Sequence, residues 1–123
     1  MNTVLIYIGG LTALIWGVSH LFPTRNVVRD FGPITEDNRN IIRMEWISEG
    51  ATLIFLGALT IGITLYDPSH PVSMMVYWFN AMMLLVLAMI SLFTGFKVRF
   101  LPFRLCPFIF TFSALCIMIG VLL

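Results

Sequence analysis

Four apolar stretches, at positions 4–22, 45–66, 72–96 and 104–123, take up most of this chain. A helix needs about 20 mostly apolar residues to cross the roughly 30 Å hydrocarbon core of a bilayer, and each stretch meets that length. Charge is scarce, with 11% charged residues beside 59% hydrophobic ones. Soluble domains carry roughly 25% charged residues. A chain of 123 residues cannot hide so much apolar surface from water, so lipid is the expected solvent. The expected fold is all-α: a single domain over residues 1–123, a polytopic membrane protein built as an up-down bundle of four transmembrane helices. No length remains for a soluble domain.

The first span has no Asp, Glu, Lys or Arg and stops at Pro23, whose ring disfavours helix in the residue before it. No cation precedes it and no small-residue cleavage site follows, so it reads as a retained helix and not as a signal peptide. A polar loop is expected at 23–40, with Phe31-Gly32-Pro33 as its turn. Thr35 followed by Glu36 and Asp37 has the chemistry of a helix start, a side-chain acceptor and then acids at the positive end of the dipole. No breaker follows until Asp67-Pro68. The second helix should therefore run for about 30 residues, or roughly 45 Å, and project beyond the hydrocarbon core. A second polar loop is expected at 97–103.

All seven cations lie in these two regions: Arg25, Arg29, Arg39 and Arg43 in the first, Lys97, Arg99 and Arg104 in the second. Short basic loops stay in the cytoplasm. Both loops are thus expected to be cytoplasmic, with the N- and C-termini on the opposite side. A multi-pass protein of the cell inner (plasma) membrane is the expected location, with the lipid bilayer as its first partner. The net charge of +1, with acids interspersed among the bases, gives no nucleic-acid signal. Cys106 and Cys116 are ten residues apart on one helix, about 15 Å, which is too far for a disulfide. His20 and His70 fall at opposite membrane faces and cannot share a haem. There is no phosphate loop, nucleophile elbow or Cys/His metal spacing. No metal and no cofactor are expected.

Helical spacing sorts the polar residues onto faces. Gly9, Ala13 and Gly17 form a small-residue ladder in span one, of the kind that lets membrane helices approach closely. Asn38, Glu45, Glu49 and Thr52 share an arc of helix two, while Arg43 and Trp46, three apart, invite a cation–π contact. Ser73, Tyr77, Asn80, Ser91 and Thr94 share one side of span three, and Asn80 is expected to hydrogen-bond between helices. Trp16, Trp46 and Trp78 read as packing or interface anchors. Counting inward from the span ends puts His20 and Glu49 at a similar depth, with Glu45 one turn nearer the cytoplasm. Ser91 and Thr94 reach the same level, and Arg104 starts span four.

Acids within a membrane are costly and face a cavity or a partner. His20, Glu49 and Glu45 therefore form a candidate proton-handling, catalytic cluster. Arg25, Asn38, Arg43, Ser91, Thr94 and Arg104 are candidate binding residues around it. Glu45 is expected to pair with a loop arginine. Three functions fit. The favoured one is an accessory or assembly subunit in which the cluster locks helices, in a homo-oligomer or with a membrane partner protein. The alternatives are a membrane enzyme acting on an amphipathic or lipid-like ligand, and a proton- or cation-coupled small transporter or channel subunit. In size and span count the chain resembles small multidrug transporters and fluoride channels. It departs from them in its one-sided charge and in the position of its acid, and no residue role is carried over.

Overall fold

Asn2 starts the first helix: its side-chain Oδ1 accepts from the backbone N–H groups of Val4 and Leu5 at 3.1 and 3.3 Å. Two of the four donors that a helix start leaves unpaired are met in this way. The computed structural model describes all 123 residues, as five α-helices and one 3-10 turn with no strands. They are α1 (Thr3–Leu21), α2 (Thr24–Asp30), α3 (Glu36–Tyr66), α4 (Pro71–Phe93), the 3-10 turn Gly95–Lys97, and α5 (Leu101–Leu122). Four of the helices, α1, α3, α4 and α5, are long and apolar enough to cross a membrane.

Thr35 caps α3 as its chemistry suggests, its Oγ1 accepting from the Asn38 N–H at 3.2 Å. At 31 residues, α3 is about 46 Å long. His70 and Pro71 start α4; the imidazole Nδ1 accepts from Val72 N–H at 3.2 Å, and proline suits a first turn whose N–H has no partner. Between α3 and α4, the Asp67 carboxylate accepts from both the N–H and the hydroxyl of Ser69, which holds its pKa below the ordinary range.

Both expected loops are partly helical: the second, 97–103, is cut short by the 3-10 turn Gly95–Lys97 and by α5, which begins at Leu101. The region 23–40 is not a continuous loop: Thr24–Asp30 is helical, and α3 begins at Glu36. The reason is local. Pro23 precedes the first turn, and Val28 is buried against the bundle, so the short helix gains a packed apolar contact that its polar sequence hides. Gly32, the one residue with positive φ (+75°), then turns the chain back into α3.

Glycines set the helix pairing. A Cβ built on Gly57 would lie 2.6 Å from the Gly10 carbonyl oxygen, and one on Gly17 would lie 2.9 Å from that of Gly50. Gly10 thus faces Gly57, Gly17 faces Gly50, and α1 and α3 meet backbone to backbone. Gly9 of the anticipated ladder faces α5 instead, where the Ser113 hydroxyl donates to the Gly9 carbonyl at 2.7 Å. The ladder therefore serves two neighbours, with α1 wedged between α3 and α5. A core of Ile6, Leu53, Tyr77, Leu84, Phe110 and Ile117 fills the centre, while large apolar side chains cover the outside.

Helices α3 and α4 touch along only a short stretch. Asn80 Nδ2 donates to the Leu56 carbonyl at 3.2 Å and to Thr60 Oγ1 at 3.0 Å. Thr64 Oγ1 lies 2.9 Å from the Tyr77 hydroxyl. The single Thr64 proton already goes to the Thr60 carbonyl at 2.6 Å, so Tyr77 is the donor. These bonds clamp α3 to α4 near the Asp67 turn. Toward the charged end of the molecule the two helices are held by no such bonds.

Candidate functional site

Where the clamp ends, a groove of about 640 Å³ opens between α3 and α4. Glu45, Ser48, Glu49 and Thr52 line it from α3; Ser91 and Thr94 line it from α4, beside the apolar Met83, Leu87 and Ile90. Glu49, Ser91 and Thr94, expected at one level, and Glu45, expected one turn nearer the charged end, line the same groove. Glu45 differs from expectation in one respect: no cation lies within 4.0 Å of it. Arg25 on α2 and Arg43 on α3 line a separate depression, which leaves Glu45 to the groove.

The chemistry of the lining is one-sided. Thr52, Ser91 and Thr94 each donate their hydroxyl proton to the carbonyl four residues back on their own helix, at 2.8, 2.6 and 2.6 Å. A hydroxyl has one proton, so what these residues still offer is lone pairs. The two carboxylates are acceptors as well, and no Lys or Arg lines the groove. Its polar wall is therefore dominated by hydrogen-bond acceptors, with the Ser48 hydroxyl the one uncommitted donor.

Behind this wall sits His20, with 7% of its surface exposed. Its Nε2 lies 3.6 Å from Glu49 Oε2. That distance is an electrostatic contact and longer than a hydrogen bond. Nε2 has no hydrogen-bond partner in the chain. Glu49 is the intermediary: its side chain is 36% exposed and lines the groove, whereas His20 lines a smaller cavity of about 140 Å³ on the far side. Trp46, Phe103 and Cys106 border both.

Trp46 holds the imidazole. Its indole stacks on His20 with ring centroids 3.9 Å apart and planes 17° from parallel, and its Nε1–H donates to the His20 carbonyl at 2.8 Å. The anticipated Arg43–Trp46 cation–π pair is not formed. Trp46 is buried toward α1, while Arg43 turns outward and donates to Asn40 Oδ1 at 3.4 Å. Trp46 and Glu49 are three residues apart on α3 and so share a face; that spacing carried the signal for the indole's role.

The other anticipated binding residues lie elsewhere. Arg104 Nε donates to the Val98 carbonyl at 2.9 Å, which ties the start of α5 to a segment of the groove wall, but the guanidinium does not line the groove. Asn38 is exposed in the first turn of α3 and borders neither cavity. Cys106, too far from Cys116 for a disulfide, stands between the two cavities.

Chemically, the arrangement can hold a donor-bearing, positively charged group against Glu49. The 3.6 Å between His20 Nε2 and Glu49 Oε2 would have to shorten to hydrogen-bond distance before a proton could pass between them. A scan of family models finds no match, and searches of curated proteins and of solved structures find none either.

Proposed function

We propose that this protein spans a plasma membrane with its charged end in the cytoplasm and both termini opposite. We further propose that it binds there an amphipathic, lipid-like molecule with a cationic, hydrogen-bond-donating head. The observation that carries this reading is the acceptor-rich lining of the groove, two carboxylates and three hydroxyls whose own protons are spent, with the Ser48 hydroxyl the one uncommitted donor and no Lys or Arg among them. An ammonium head supplies the missing donors, and its alkyl chain lies along Met83, Leu87 and Ile90. The weak contact between α3 and α4 supports entry from the side, out of the bilayer. Placement of seven cations at the groove's end of the molecule supports the orientation. The groove favours ligand binding over a purely accessory role, because packing alone needs no accessible carboxylate.

The His20–Glu49 contact favours a second reading within the first, in which the bound molecule also exchanges a proton with the pair, as in a membrane enzyme or a proton-coupled carrier.

The test uses the purified protein in an uncharged detergent, titrated with a long-chain alkylamine, the matching alcohol and the matching sulfate. Ligands that bind only the folded state raise its melting temperature. The amine should stabilise saturably while the alcohol and sulfate do not. Glu49→Gln should weaken the amine by tenfold or more, the scale of one hydrogen bond to a charged group. Equal effects of all three amphiphiles, or an unaltered response in Glu49→Gln, would refute the reading.

A further inference from the structure

Four of the seven cations gather where α2 meets the start of α3, outside the groove. Arg25 and Arg29 on α2, and Arg39 and Arg43 on α3, line a depression of about 750 Å³. Leu21, Phe22 and Val28 form its apolar side, and no acid lines it. Each pair is spaced four residues apart on its helix, where like charges repel. Gly32 brings the pairs together: a Cβ there would meet nothing within 4 Å, so its positive φ, and not crowding, selects glycine at the turn. Arg29 has Asp30 at 3.5 Å, but no carboxylate lies within 4.0 Å of Arg25, Arg39 or Arg43. The fold thus concentrates positive charge that its own acids leave unmatched.

We propose that this depression binds the phosphate of an anionic phospholipid headgroup. Guanidinium groups suit phosphate oxygens through paired N–H donors. The apolar side supplies the rest of the match: Phe22, 84% exposed, ends α1 directly below the arginines, where acyl chains join the headgroup. A lone inorganic phosphate would use the arginines but not Phe22 and Leu21. The site goes beyond the amine-binding groove and does not depend on it.

Native mass spectrometry of the detergent-solubilised full chain tests this, with dioleoyl phosphatidylglycerol, dioleoyl phosphatidylcholine and inorganic phosphate as probes. Phosphatidylglycerol should bind at least tenfold more tightly than phosphatidylcholine, and inorganic phosphate should compete poorly. Each arginine neutralised should weaken binding by roughly fivefold, so Arg25→Gln with Arg43→Gln should lose about 25-fold. Lys97→Gln with Arg99→Gln, outside the depression, should leave binding within twofold. All four side chains are exposed, and unchanged circular dichroism and melting verify the fold. Equal affinity for the two lipids, equal losses in the two double variants, or inorganic phosphate binding as tightly as phosphatidylglycerol would each overturn the proposal.

Discussion

Gly57→Ala adds one methyl group to α3, and the structure predicts its sign. The new carbon would lie 2.6 Å from the Gly10 carbonyl oxygen, 2.6 Å from the Leu14 nitrogen and 2.7 Å from Leu14 Cβ. Comfortable carbon contacts are about 3.5 Å or longer, so α1 and α3 must part by almost 1 Å. Two of the three obstacles are backbone atoms, which no rotamer change moves. Overpacking costs about 1–3 kcal/mol, and rigid neighbours place this case at about 2–3 kcal/mol. Alanine returns roughly 1 kcal/mol through its helix propensity. The net loss is about 1–2 kcal/mol. Gly62→Ala is the internal control: five residues further along the same helix, its added methyl meets nothing within 4 Å. Only the propensity gain remains, so this variant should be neutral or up to about 1 kcal/mol more stable. The pair should thus differ by about 1–3 kcal/mol in reversible sodium dodecyl sulfate unfolding from mixed micelles, followed by helical circular dichroism. Changes of the same sign, or a difference under about 0.5 kcal/mol, would refute backbone-to-backbone packing of α1 on α3.

Two further substitutions probe the parts that frame the groove. Asn80→Ala removes the hydrogen bonds to the Leu56 carbonyl and Thr60 Oγ1, and should cost about 1 kcal/mol, between the average and the maximum for such bonds in membrane helices; wild-type stability in the same unfolding assay would show that the clamp is idle. Trp46→Phe keeps a ring over His20 but loses the 2.8 Å bond to the His20 carbonyl, a loss of about 1 kcal/mol, whereas Trp46→Ala should cost about 3–5 kcal/mol. Melting curves that make the two Trp46 variants equally damaging would show that stacking contributes nothing.

The long apolar stretches and the cap at Thr35 were legible because each depends on local chemistry, hydropathy over a span's length or one side chain facing its own backbone. The approach of His20 to Glu49 could be read from depth alone, since both were counted inward from the same boundary. Rotation about the helix axis was harder. Trp46 was grouped with Arg43, although its spacing to Glu49 and to the buried Gly50 and Leu53 puts it on the inner face. Gly10 with Gly17, and Gly50 with Gly57, repeat at seven residues, two helical turns, and that shared interval marks the α1–α3 contact. The arginine depression stayed hidden for a different reason. Its geometry requires α2, a seven-residue helix with polar composition whose support comes from the burial of Val28. No local propensity announces such a helix. The acceptor-rich character of the groove is likewise a property of the fold, since the helical backbone decides where the Thr52, Ser91 and Thr94 protons go.

The most direct test of the groove as a lateral binding site is photolabelling of the reconstituted protein with a long-chain amine that carries a diazirine in its chain. Label is expected on Thr52, Met83 and Leu87, displaced by unlabelled alkylamine and lost in Glu49→Gln. Equal labelling of the outward-facing Phe55, Phe79 and Val86, undisturbed by competitor or by Glu49→Gln, would contradict it.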